Sequence, residues 1–179
     1  MDHTKQTFED IRDQEFDGDT FTACTLLATD ARDAKLIDCI FQSSALSSVK
    51  VDGAVLQVKF VASKIEGINF FTAKRELLSL EFENCLIRYS SFAELKLKET
   101  KFTGCTFQHV DFADADLSQA DFSNAMFEEC AFRNTNLTKA DFRGARGYSI
   151  DPRLNKLKGA HFEVPEVFGL LDAFDIEIG

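Results

Sequence analysis

The chain has little of several residue types. Its 179 residues include no tryptophan, two tyrosines and two prolines, Pro152 and Pro165. It has no run of 18 apolar residues, which excludes a transmembrane helix by the usual length criterion. The first ten residues lack the basic and apolar segments of a secretory signal, so we expect no signal peptide.

Basic residues are also in the minority. The chain has 20 Lys and Arg against 30 Asp and Glu, for a formal net charge of −10. A nucleic-acid-binding domain needs a basic face, so this charge argues against direct binding to nucleic acid. Hydrophobic residues still make up 45% of the chain, which favours one folded domain over a disordered chain.

The phenylalanines, 19 in all, follow a five-residue period. From Phe82 to Phe142 every fifth residue is Phe, Leu or Ile, at 13 consecutive positions. The residues two positions earlier, such as Ala115 and Ala120, are mostly small. Because 15 of the 19 phenylalanines fall on these positions or their N-terminal equivalents, the repeat explains the phenylalanine excess.

The N-terminal half carries the same repeat in another phase. Its series runs from Phe16 to Leu56, and the phase then slips near residues 57–59 and again within 71–79. We therefore expect one repeat domain with two register breaks.

A five-residue period fits neither an α-helix nor a long strand. In extended backbone the positions i−2 and i point the same way, so the other residues must turn the chain. Large and small residues then fill the inside of a stacked coil, and polar residues cover its outside. This pattern resembles the pentapeptide-repeat family, whose fold is a right-handed quadrilateral β-helix with four repeats per coil. The resemblance covers about Phe16 to Phe162 and implies an all-β solenoid of about seven coils.

The repeat domain, residues 1–163, is followed by a different pattern over residues 164–179. Pro165 stands at the favoured first position of a short helix, and Ile176 and Ile178 alternate with a glutamate as in a short strand. The candidate dimer-interface residues are Val167, Leu170, Leu171, Phe174, Ile176 and Ile178. The segment caps the solenoid, forms a dimer, or does both.

No motif of catalytic or metal-binding chemistry stands out. Five cysteines fall at inward i−2 positions, where free Cys acts as a small hydrophobe: Cys24, Cys39, Cys85, Cys105 and Cys130. The chain has no C-x-x-C pair and no phosphate-binding glycine motif. His109 and His161 fall on outward positions with no nucleophile beside them. We therefore expect a non-enzymatic protein without catalytic residues, metal or cofactor, in a reducing compartment such as the cytoplasm.

Charge is distributed unevenly along the chain. Residues 111–129 contain six acids and no lysine or arginine, whereas residues 131–158 contain seven basic residues and two acids. The six acids, called the acidic belt below, are Asp111, Asp114, Asp116, Asp121, Glu128 and Glu129. They also have an ordinary structural interpretation, because Asp and Asn solvate the turns of such repeats.

An acidic rod about as wide as duplex DNA can compete for the basic DNA-binding groove of another protein. The C-terminal residues are similar to those of the Qnr quinolone-resistance proteins. That resemblance implies DNA gyrase or topoisomerase IV as the target, and a homodimer formed through the C-terminus. The alternative is a general protein-interaction scaffold with an unknown partner.

The resemblance to the Qnr proteins also implies a loop that projects from the rod. Here only residues 71–79 are a candidate for that loop, and the net insertion is two residues. Its candidate contact residues are Lys74, Arg75, Leu77 and Leu78.

Overall fold

The computed structural model describes residues 1–174 and Ile176. In this part of the chain, short parallel strands form two sheets that run along a rod. The first sheet contains β1 (Asp2–Thr4), β3 (Glu15–Asp17), β4 (Thr20–Thr22), β6 (Lys35–Gln42), β8 (Val55–Val61), β10 (Ser79–Glu83) and β12 (Phe102–Thr103). The second contains β2 (Thr7–Asp10), β5 (Thr25–Asp30), β7 (Ala45–Ser47), β9 (Lys64–Glu66), β11 (Leu86–Arg88), β13 (Thr106–Gln108) and β14 (Met126–Glu128). Three 3₁₀ segments also occur: Phe70–Thr72, Arg75–Leu77 and Glu166–Phe174.

One column of stacked aromatic rings runs the length of the rod. Its members are His3, Phe21, Phe41, Phe60, Phe82, Phe102, Phe122, Phe142 and Phe162. Neighbouring ring centroids are 4.4 to 5.5 Å apart, close to the spacing of paired strands. Each turn of the chain therefore adds one ring to the column.

The other inward columns follow the same rule. Phe92 stacks on Phe112 at 5.4 Å, and Phe107 stacks on Phe127 at 5.0 Å. All 13 residues of the series from Phe82 onward are buried. The fold is a parallel β-solenoid, as the five-residue period predicted, and it has four repeats per coil, as the family resemblance implied.

The pairing register changes where the phase of the repeat slips. Cys39 pairs with Val58, so one residue is missing from a 20-residue turn. Phe60 pairs with Phe82, so the following turn has two extra residues, and the 3₁₀ turn Arg75–Leu77 lies within it.

Polar and sulfur-bearing side chains at the inward i−2 positions form hydrogen bonds with nearby backbone groups. The Ser44 hydroxyl donates to the Phe21 carbonyl at 2.9 Å and accepts the Cys24 amide at 3.0 Å. Four of the cysteines are buried as expected, while Cys130 is half-buried near the C-terminal end of the rod.

The N-terminal end of the rod is closed by a charged contact. The Met1 amino group lies 2.5 Å from Asp19 Oδ1, and His3 Nε2 lies 2.9 Å from Asp19 Oδ2. His3 also stacks on Phe21 and meets the Phe8 ring edge-on, so the inward pattern begins earlier than Phe16. These contacts cover the aromatic core at the Met1 end of the rod.

The C-terminal segment forms a helix, but of 3₁₀ type, over Glu166–Phe174. Val167, Leu170 and Leu171 are half-buried, and Leu170 packs against the core. Phe174 and Ile176 are exposed. The strand predicted there includes Ile178, which lies outside the described residues.

Candidate partner-binding surface

The acidic belt surrounds the rod within one turn of the solenoid. Its members fall on four successive faces: Asp111 and Asp114, then Asp116, then Asp121, then Glu128 and Glu129. The belt therefore presents negative charge in all directions rather than along one side.

Three belt aspartates cap the turns that follow them. Asp111 Oδ1 accepts the amide N–H of Ala113 at 2.9 Å, and Asp121 Oδ1 accepts that of Ser123 at 2.9 Å. Asp116 Oδ1 accepts the amide N–H of Ser118 in the same way, at 3.1 Å. The capping supports the structural interpretation of these residues, but an amide donor leaves the carboxylate charged.

Elsewhere in the rod the same aspartate position is neutralised by an arginine two residues later. The pairs are Asp10–Arg12, Asp30–Arg32, Asp141–Arg143 and Asp151–Arg153. Hydrogen bonds from Arg32 lower the pKa of Asp30 to about 2. In the belt this arginine position is occupied by Ala113, Ser118 and Ser123, so these carboxylates have no ion pair with an arginine of their own turn.

The remaining belt acids contact side chains without a fixed charge. Their contacts are Asp114 with Asn134 at 3.2 Å, Glu128 with Gln108 at 2.5 Å, and Glu129 with His109 at 3.2 Å. Within residues 1–174, no lysine or arginine lies at ion-pair distance from any of the six.

Residues 71–79 lie close to the rod. The Lys74 amide donates to the Ala54 carbonyl of the preceding turn at 2.9 Å, and the Arg75 guanidinium lies 4.3 Å from the Phe71 ring centroid. Lys74, Arg75 and Leu77 are exposed. Leu78 is half-buried against the core, so Leu77 is the exposed apolar residue of this segment.

Two side-chain ladders next to the belt were not identified from the sequence. In one, Arg88 Nε donates to Gln108 Oε1, whose amide donates in turn to Glu128. In the other, Tyr89 stacks on His109, which contacts Glu129. The 20-residue spacing of these residues is the signal that could have predicted both ladders.

Residues 81–162 match the family model described as a pentapeptide repeat region. These residues belong to the pentapeptide repeat family. No curated protein matches the chain at a significant level. In the described part of the pentapeptide-repeat rod, no helix has the length and apolar character needed to cross a bilayer.

Solved structures of QnrB1, a plasmid-mediated fluoroquinolone resistance protein, have the same fold. One trypsin-treated form matches with a TM-score of 0.85 at 20% identity, covering 99% of this chain and 91% of that chain. A second matches with a TM-score of 0.80 at 19% identity, covering 99% and 100%. Full-length QnrB1 matches with a TM-score of 0.51 at 15% identity, covering 98% and 100%. At these identities the likeness shows the fold alone.

Proposed function

We propose that the pentapeptide-repeat rod is a non-enzymatic DNA mimic that binds the basic DNA-binding groove of a protein such as DNA gyrase or topoisomerase IV. The observation that carries this proposal is the absence of arginine from the belt turns. Aspartates in the same structural position elsewhere are paired with arginine, whereas Asp111, Asp116 and Asp121 are not.

The geometry of the belt favours binding to a cationic surface. Each capped aspartate is held by its own turn, so little side-chain freedom remains to be lost on binding. Asp114, Glu128 and Glu129 are exposed, and the three capped aspartates are half-buried. Together these charges attract a basic groove, and the range of the attraction shortens as the salt concentration rises. Binding through the belt should therefore weaken steeply with salt concentration.

Fold likeness to QnrB1 supports a link to quinolone sensitivity, because gyrase and topoisomerase IV are the quinolone targets that the family resemblance implied. We place the protein in the cytoplasm with that target. A homodimer through the C-terminal segment would cover Phe168, Phe174 and Ile176, which are exposed in a single chain.

A second candidate function is a scaffold for a different protein partner. The compact course of residues 71–79 favours this alternative, because these residues lie against the rod and do not project for a second contact with a topoisomerase.

Direct binding to gyrase at two salt concentrations tests the proposal. The belt variant combines Asp111→Asn, Asp116→Asn and Asp121→Asn, which keeps the oxygen that caps each turn but removes three charges. The matched control combines Asp2→Asn, Asp13→Asn and Asp17→Asn, three exposed acids near the N-terminal end. We expect salt-sensitive binding by the wild type, which the belt variant loses and the control variant keeps. Equal binding by both variants would contradict the proposal.

A further inference from the structure

Tyr89 presents an open ring face on the surface of the rod. The residue is 61% exposed, and one face of its ring stacks on His109 at 4.8 Å with an interplanar angle of 6°. Backbone hydrogen bonds place Gly67 next to Tyr89 in the preceding turn. The opposite face of the ring therefore points toward a position that has no side chain.

The space beside Gly67 is more open than the space beside Gly53 or Gly104. The side chain of Asp33 occupies the position where a Cβ of Gly53 would lie, and Asn84 does the same at Gly104. Beside Gly67 the nearest atom is the Ser48 hydroxyl oxygen, 3.5 Å from the ideal Cβ position. The stack of corner residues that contains Gly67 and Tyr89 therefore has a gap between Ser48 and the Tyr89 ring. The gap is as high as one turn of the solenoid, and we call it the slot.

One carboxylate adjoins the slot. Glu66 precedes Gly67, is exposed, and has no ion-pair partner in residues 1–174. Its register partner Arg88 donates instead to Gln108, on the side away from the slot. An aromatic face beside a free carboxylate suits a planar cation, which stacks on the ring and donates to the carboxylate.

We propose that this slot binds an arginine side chain of a protein partner, with the guanidinium stacked on Tyr89 and paired with Glu66. Arginine fits better than lysine because its flat guanidinium matches a gap as high as one solenoid turn and can form two parallel hydrogen bonds with a carboxylate. The inference names a contact for the partner of the proposed function. It rests on that function only for the identity of the protein that carries the arginine.

The slot can be tested without the partner by NMR titration of the full chain. The probes are two capped tripeptides, Gly-Arg-Gly and Gly-Lys-Gly, which carry the same charge. We expect saturable shifts at Glu66, Gly67 and Tyr89, with binding of the lysine peptide about 2- to 5-fold weaker. Equal binding of the two peptides, or shifts spread evenly over all acidic residues, would overturn the proposal.

Two pairs of variants distinguish binding in the slot from nonspecific attraction to negative charge. Gly67→Asn fills the slot, and asparagine tolerates the positive φ there, as Asn84 shows at an equivalent corner. Gly18→Asn is the matched control at a corner with open space. Tyr89→Ala removes the ring, whereas Tyr89→Phe keeps it. We expect arginine-peptide binding to be lost in Gly67→Asn and Tyr89→Ala and kept in the other two. Retention of arginine-peptide binding in Gly67→Asn would contradict binding in the slot, even if the chain binds gyrase.

Discussion

The ring of Phe102 lies parallel to the ring of Phe122, with centroids 5.0 Å apart and an interplanar angle of 3°. Both rings are fully buried, and each also meets the Phe112 ring of the adjacent face edge-on. Stacking along the rod and edge contacts across it hold the same side chains. The core is therefore one continuous aromatic lattice rather than a set of separate clusters.

Phe122→Ala should lower the free energy of unfolding by about 3–5 kcal/mol, because the neighbouring turns of the solenoid cannot move into the cavity that is left. Phe112→Ala should have a similar effect. Chemical denaturation followed by circular dichroism measures both, with Leu27→Ala, at an exposed residue of β5, as the control. An unchanged denaturation midpoint for Phe122→Ala would contradict the buried column.

Much of this lattice could be predicted from the sequence, because the five-residue period over 13 positions identifies the inward residues and the family resemblance implies how the coils stack. The start of the aromatic column could not be predicted from the sequence. His3 is polar, and it pairs with Phe21 after only 18 residues, so neither its type nor its spacing follows the repeat.

The charge pattern was visible in the sequence, but its meaning depends on backbone geometry. Only the folded turn shows that an aspartate reaches the residue two positions later, so that Arg143 neutralises Asp141 while Ser123 leaves Asp121 charged. Likewise, apolar spacing over nine residues does not distinguish an α-helix from the 3₁₀ helix at Glu166–Phe174.

Tyr148→Phe should stabilise the rod. The Tyr148 hydroxyl is buried and has no hydrogen-bond partner among the described residues, which costs about 1–3 kcal/mol. Burial raises the pKa of Tyr148 to about 12, so the unfolded chain releases this proton at lower pH than the folded chain. The wild type should lose additional stability between about pH 10 and 12, and Tyr148→Phe should not. Parallel pH profiles for the two proteins would argue against a buried hydroxyl.

Asp19→Ala should loosen the N-terminal end of the rod by about 1–2 kcal/mol, because it removes the contacts to the Met1 amino group and to His3. Hydrogen exchange of residues 20–42 measures this, with Asp17→Ala as the exposed control. The bond from the Met1 amino group lowers the pKa of Asp19. The contribution of Asp19 should therefore be present above pH 4 and be lost as the pH falls through its lowered pKa. Equal exchange in the two variants would exclude a capping role.

The C-terminal helix should mediate a homodimer. Phe168 and Phe174 are 46% and 47% exposed, and replacing both with glutamate should give a monomer in sedimentation velocity. Leu27→Glu changes a residue of 65% exposure on a distant strand and should leave the dimer intact. A wild-type chain that sediments as a monomer at micromolar concentration would leave the helix as a cap only.

A gyrase supercoiling titration in the presence of a fluoroquinolone tests the DNA-mimic proposal most directly. The wild type and the variant carrying Asp2→Asn, Asp13→Asn and Asp17→Asn should restore supercoiling, with an effect that weakens as salt rises. The variant carrying Asp111→Asn, Asp116→Asn and Asp121→Asn should fail at the same concentrations while keeping its melting midpoint. Unchanged inhibition by the drug at a large molar excess of the wild type, or equal rescue by both variants, would contradict a role for the acidic belt.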